Sequence, residues 1–190
     1  SANYTIVQPT NLVADITAKS VTISGLTVSN KEYDRTTVGV ISGEPILNGI
    51  VSGEESGVSL TGSLMATFDT FNVGTNKSVL INGVSLSGPA SANYVIEPLL
   101  VTASITKKSV TIDSPSVADK NYDGNSVALL SGTLIGVISL DSVGLNLSAI
   151  FNDSQVGENK PVTSTSTIAG ANVSNYLLIQ PQGLTASIFG

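Results

Sequence analysis

From Val58 to Phe68 the chain reads VSLTGSLMATF, with Val58, Leu60, Leu64, Ala66 and Phe68 falling on one side of a two-residue period and Ser59, Thr61, Ser63, Met65 and Thr67 on the other. Side chains of an extended strand point alternately to opposite faces, so this pattern predicts a strand with one face buried. The same alternation runs through Val21 and Ile23, Val110 and Ile112, Val84 and Leu86, and Leu145, Leu147 and Ala149. Clusters of Gly, Asn, Asp, Pro and Ser separate the runs at intervals of roughly 8–14 residues, the spacing of strands joined by short turns. The apolar windows from Val38 to Ile50 and from Val127 to Ile138 do not predict helices. They are interrupted by Gly43, Pro45 and Gly49, and by Gly132 and Gly136, which break a helix but suit bends and bulges. The expected fold is all-β, built of small antiparallel domains. An immunoglobulin-like sandwich of two sheets is favoured, with a β-grasp-like open sheet as the alternative.

The pattern occurs twice. KSVTI at 19–23 and KEYDR at 31–35 return 89 positions later as KSVTI at 108–112 and KNYDG at 120–124. Phe68, Val73, Gly74, Asn76, Lys77 and Val79 return at a shift of 83 as Phe151, Val156, Gly157, Asn159, Lys160 and Val162, so the second copy lacks six residues in between, as loops tolerate. A closing phrase comes three times: SANYTIVQPTNLVADIT from Ser1, SANYVIEPLLVTASIT from Ser91 and VSNYLLIQPQGLTASIF from Val173. The expected organisation is therefore residues 1–17 as the terminal strand of a preceding repeat, 18–106 as repeat 1 and 107–190 as repeat 2. One residue, Ala18 or Lys107, separates each closing strand from the next KSVTI. A junction that short has no slack, which predicts stiffly oriented neighbours forming a rod.

Composition narrows the function. The 190 residues hold no Cys, His or Trp, 12% are charged and the net charge is −6. Eight scattered Lys and Arg do not make a phosphate-binding surface, so nucleic acid is discounted as a partner. No apolar run is long enough to span a bilayer as a helix, and membrane insertion by this segment is not expected. Without His or Cys the usual general base and thiolate nucleophile are missing, and the acids sit in turn-rich segments without an arguable partner, so no enzyme is expected.

The phrases K-x-Y-D-G, then F-x-x-x-x-V-G-x-N-K-x-V, then N-Y followed by T-A-S-I resemble the YDG-type, or MBG-like, repeat domain of large bacterial surface proteins of the adhesin and filamentous-haemagglutinin kind. The motif positions are Lys31, Tyr33 and Asp34 in repeat 1, Lys120, Tyr122, Asp123 and Gly124 in repeat 2, Gly74 and Gly157, and Asn93, Tyr94, Asn175 and Tyr176. Repeat 1 departs from the pattern with Arg35 in place of the glycine, which demands either another turn type or a strained arginine. The resemblance implies an extracellular array domain, on the bacterial surface or secreted, without catalytic activity.

Three constellations invite other readings. DKNYDGN at 119–125 matches the opening half of a calcium loop, but Leu130 stands where the closing acid belongs, and a polar turn is the stronger expectation. No cofactor is expected, with calcium retained as a minor alternative. Lysines recurring as Lys19 and Lys108, Lys31 and Lys120, and Lys77 and Lys160 could cross-link to Asn93, Asn175, Asn76 or Asn159 if a lysine were buried and neutral. The recurring tyrosines suit a corner that buries the ring and ties down the hydroxyl better than they suit a sugar platform. The expected role is a structural spacer in an adhesin stalk whose partners are neighbouring repeats of the same chain. The alternative is that the repeats are themselves weak, multivalent binders of a glycan or host-matrix ligand.

Overall fold

The computed structural model describes residues 3–190. Repeat 1 contains β1 (Lys19–Val28), β2 (Lys31–Glu32), β3 (Val38–Gly39), β4 (Ile41–Asn48), β5 (Ser59–Phe68), β6 (Gly74–Ser87), β7 (Tyr94–Ile96) and β8 (Leu99–Thr106). Repeat 2 follows the same order with β9 (Lys108–Val117), β10 (Lys120–Asn121), β11 (Val127–Ala128), β12 (Leu130–Ile135), β13 (Gly144–Asn146), β14 (Ala149–Phe151), β15 (Gly157–Ser164), β16 (Thr167–Ala169), β17 (Tyr176–Ile179) and β18 (Leu184–Phe189). Among the described residues the only helical elements are single turns of 3-10 helix, at Glu55–Gly57, Ser91–Asn93 and Val173–Asn175.

Each repeat is built on two sheets. In repeat 1 they run in the order β4-β1-β7 and β2-β8-β6-β5-β3, and in repeat 2 β12-β9-β17 and β10-β18-β15-β14-β11, with β13 and β16 paired separately. The expectation of purely antiparallel domains is corrected: β7 lies parallel to β1, β17 to β9, β2 to β8 and β10 to β18. These pairs join strands distant in sequence, whereas turn signals reveal only strands that are neighbours along the chain. The core lies between the sheets, where Ile23, Leu26 and Val28 of β1 meet Ala66 and Phe68 of β5, Val79 and Ile81 of β6, and Ala103 and Ile105 of β8. Repeat 2 repeats this around Phe151, Val162 and Ile188. The alternation read from Val58 to Phe68 holds, with Ala66 and Phe68 buried and Met65 exposed.

Two differences between the copies have local causes. In repeat 1 the β5-β6 pairing is bulged at Gly62, whose φ of +100° lets the backbone pass so close to the Gly83 carbonyl that a Cβ would stand 2.5 Å from its oxygen. The shortened repeat 2 lacks this glycine pair, and its hairpin is split. Buried Ser164 and Ser166 bridge the gap through one another, the Ser148 carbonyl and the Gln180 side chain. Residues 3–18 join no sheet, and Tyr4, Ile6, Leu12 and Ile16 are exposed. Ser1 and Ala2 lie outside the described residues.

Candidate functional site: the joint between repeats

The K-x-Y-D motif is a staple. Lys31 Nζ donates to the Thr36 and Val38 carbonyls at 2.9 and 3.0 Å and pairs with Asp34 at 2.7 Å. Lys120 does the same with the Asn125 and Val127 carbonyls at 2.9 and 3.1 Å and with Asp123 at 2.8 Å. The two ammonium groups stand 5.7 and 5.8 Å from the ring centres of Phe68 and Phe151, so each lysine ties the turn down over its core aromatic. The second motif builds another clip. Lys77 reaches Asp69 at 2.8 Å and Thr70 Oγ1 at 2.7 Å by folding its stem over Gly74, where a Cβ would crowd the Lys77 Cγ and Cδ at 3.2 Å. Lys160, Asp153 and Gly157 repeat the arrangement.

These clips answer two expectations about DKNYDGN and the lysines. Asp123 Oδ1 accepts from Lys120 and from the Asn125 amide, Asn125 Oδ1 accepts from Lys120 and Val127, and Asp119 Oδ1 accepts from the Ser187 amide. The Asp123 and Asn125 oxygens that a calcium ion would need converge on an internal ammonium, and Asp119 is turned to the Ser187 amide, an arrangement that closes a turn. Lys120 does meet an asparagine, Asn125 at 3.0 Å. Its ammonium nevertheless faces Asp123, whose carboxyl is held below its ordinary range chiefly by that lysine. Cross-linking requires a neutral amine free to react, whereas this one is engaged in an ion pair with Asp123.

Tyr33 and Arg35 point out of the same turn into repeat 2. Tyr33 is buried to 1% and donates through its hydroxyl to Asp141 Oδ2 at 2.8 Å, and Tyr176 donates to the same oxygen at 2.6 Å. Asp141 Oδ1 makes no hydrogen bond and is met as an ion pair by Arg35 Nε at 3.0 Å. The Asp141 side chain is 0% exposed, and a cation and two phenols face it, the partners that a buried acid needs. Burial, followed by the bond to Asp141, pushes the Tyr33 hydroxyl up to about 12, and the same two causes raise Tyr176. The rings of Tyr33 and Tyr176 meet edge to face with centres 5.5 Å apart, and Phe71 flanks Tyr33.

Asn175, buried to 2%, closes the other side. Its Oδ1 accepts from the Val73 amide at 3.0 Å and its Nδ2 donates to Asn72 Oδ1 at 3.1 Å. Lys108 pairs with Glu32 at 3.0 Å at the rim. Val110 and Tyr176 of repeat 2 belong to the same apolar cluster as Tyr33, Phe68 and Ile105 of repeat 1, so the core runs through the joint. Arg35 adopts φ +64°, matching +80° at Gly124. The turn is therefore the same in both copies and the arginine bears the strain, offset by its contact with buried Asp141.

The family model of the YDG domain matches residues 17–102 and again 106–184. The chain belongs to the YDG domain family. Neither the curated proteins nor the solved structures gave a match. Of the YDG motif residues, Tyr33, Asn175 and Tyr176 meet in the joint, whereas Tyr122 is 52% exposed and Asn93 is exposed. Tyr94 and Tyr176 are buried and their hydroxyls accept from the Val51 and Ile138 amides at 3.0 Å. Asp141, Phe71 and Asn72 were not singled out by sequence. The available signal was Arg35, a bulky residue at a position built for glycine.

Proposed function

We propose that these YDG repeats are a structural spacer: rigidly coupled units of a bacterial surface or secreted adhesin stalk that hold a distal binding domain away from the cell. The observation that carries the reading is the buried Asp141 coupling, which spends hydrogen bonds, an ion pair and apolar contacts on fixing one repeat against the next. Its placement supports linear growth. β1 starts beside the hollow lined by Lys19, Glu54 and Tyr94 and ends one turn before Tyr33. A ten-residue strand covers roughly 30 Å, so a repeat carries its two coupling halves at opposite ends of that length. Units joined in this way add length rather than closing on themselves. Of the two packings, we favour the immunoglobulin-like sandwich over the β-grasp, which needs a helix laid across its sheet.

Small-angle X-ray scattering tests the reading. Two repeats in line should give a radius of gyration of roughly 23 Å, against about 16 Å for one compact body of this length. A value near the smaller figure, or reproducible saturable binding of the intact chain to glycans or matrix proteins, would overturn the pure spacer.

A further inference from the structure

The joint has two halves, and each has a counterpart in the other repeat that meets no partner repeat among the described residues. The inserting half is Tyr33 and Arg35 with the Phe71–Val73 loop, and its counterparts in repeat 2 are Tyr122, Gly124 and the 154–156 loop. The receiving half is Asp141, Ile138, Asn175 and Tyr176, and its counterparts in repeat 1 are Glu54, Val51, Asn93 and Tyr94. The latter are already arranged alike: the Val51 amide donates to Tyr94 Oη at 3.0 Å, and Tyr94 Oη donates to Glu54 at 2.5 Å. Beside them lies a hollow of about 230 Å³ lined by Ala18, Lys19, Val51, Glu54, Asn93 and Tyr94.

We infer that the Tyr122 end of one copy of this chain docks into the Tyr94–Glu54 hollow of a second copy, head to tail. The argument is continuity with the joint already described, and it rests on that geometry rather than on the stalk reading. Tyr33 and Tyr122 occupy the same position of the same turn, yet one is 1% and the other 52% exposed. Asn175 is buried and its counterpart Asn93 is exposed. Val110 and Tyr176 share a core with the neighbouring repeat, whereas Val21 and Tyr94 form a separate small cluster with Val58. The Tyr122 hydroxyl is the second phenol that the Tyr94–Glu54 half lacks, although no cation comes with it. Because the two patches differ, the contact is heterologous and repeats as an open series rather than closing as a dimer.

The outer contact is weaker than the inner one for a specific reason. Gly124 replaces Arg35 and Asn121 replaces Glu32, so neither the Arg35–Asp141 nor the Lys108–Glu32 ion pair has a counterpart, and Glu54 would receive two phenols but no cation. The inner contact also benefits from its covalent tether, which supplies an effective concentration on the order of 1 mM. Residues 3–17 edge the hollow at Ile16 and Thr17 and belong to no sheet.

Sedimentation equilibrium of the intact chain tests this. Wild type should grow in mass across a concentration series reaching about 1 mM. The double variant Gly124→Arg with Asn121→Glu restores both missing charges at a position where a Cβ on Gly124 meets nothing within 4 Å. It should associate at concentrations roughly tenfold lower or less, and by steps beyond the dimer. Tyr122→Ala, at an exposed site that leaves the fold intact, and Glu54→Gln should both stay monomeric. Wild type monomeric at that concentration, association that survives Tyr122→Ala, or growth that stops at a dimer would each overturn the proposal. None of these outcomes bears on the radius of the dilute monomer, which tests the stalk reading separately.

Discussion

Tyr33→Phe removes one hydroxyl from the joint and leaves the ring, its edge-to-face contact with Tyr176 and the surrounding core in place. What is lost is one hydrogen bond, at 2.8 Å, to a fully buried carboxylate. Hydrogen bonds to charged groups contribute about 1.5–3 kcal/mol, and Arg35 and Tyr176 still face Asp141, so the expected loss is about 2 kcal/mol. The chain supplies its own control. Tyr122→Phe makes the same change at the equivalent position of repeat 2, where the side chain is half exposed and its hydroxyl bonds to nothing among the described residues, so the expected change is within about 0.5 kcal/mol. Urea denaturation followed by tyrosine fluorescence and by far-ultraviolet circular dichroism reads both. With a slope of about 2 kcal/mol/M, the midpoint should fall by roughly 1 M for Tyr33→Phe and hardly move for Tyr122→Phe. Samples are kept dilute so that contacts between chains do not contribute. Equal losses in the two variants would mean that this tyrosine serves its own repeat, and the coupling argument would fail.

Other perturbations address the same joint and its clips. Arg35→Gly and Arg35→Ala both remove the partner of Asp141, but only alanine keeps a Cβ at φ +64°, so the glycine variant should be the more stable by roughly 1 kcal/mol in urea titrations. At alkaline pH, the Tyr33 hydroxyl titrates near 12 when folded and 10 when unfolded, so its contribution is full below 10 and is lost as pH rises through 12. Two units amount to about 3 kcal/mol, and Tyr33→Phe should flatten this part of a midpoint-against-pH profile. On the acid side, Asp69 and Asp153 lie below the ordinary 3.8, chiefly through Lys77 and Lys160, so the clips stabilise above that value and fail as pH falls through the lower folded value. The acid loss of stability should shrink in the double variant Lys77→Met and Lys160→Met, read by the same titration.

What the sequence disclosed follows from which interactions are local. Alternation along VSLTGSLMATF marks a strand because burial acts on every second residue, and the recurrence of KSVTI and the tyrosine phrases fixes the copies without any knowledge of their fold. The single residue Lys107 between the closing strand of one copy and the KSVTI of the next leaves no slack for a linker. The parallel pairing of β1 with β7 was not legible, because it joins Lys19 to Tyr94 and no turn links them. Asp141 was read only as one acid among several in turn-rich segments. Its partners Tyr33 and Arg35 lie more than 100 residues away, and nothing in its immediate surroundings distinguishes it. The nearest clue was a rule broken: an arginine at the glycine of a turn costs free energy, and the compensation lies on another domain.

That compensation explains why the joint is centred on a charge rather than on apolar side chains alone. A greasy contact would hold two repeats together at many angles, since apolar burial is non-directional. A carboxylate accepting from two phenols on one oxygen and facing an arginine on the other is satisfied in a narrow range of geometries, and leaving it would strand a buried charge. The apolar neighbours Phe71, Ile138 and Val110 then supply adhesion while Asp141 supplies direction. The price is dependence on the arginine, which makes Arg35→Gly informative a second time. If Asp141 sets the angle, this variant should broaden the distribution of distances between spin labels on exposed Met65→Cys and Ile150→Cys, one on each repeat, measured by pulsed electron spin resonance. The chain has no cysteine of its own, so both labels report only where they are placed. An unchanged, narrow distribution in Arg35→Gly would show that apolar packing alone orients the repeats, and the buried carboxylate would then be a tolerated charge rather than the device that sets their angle.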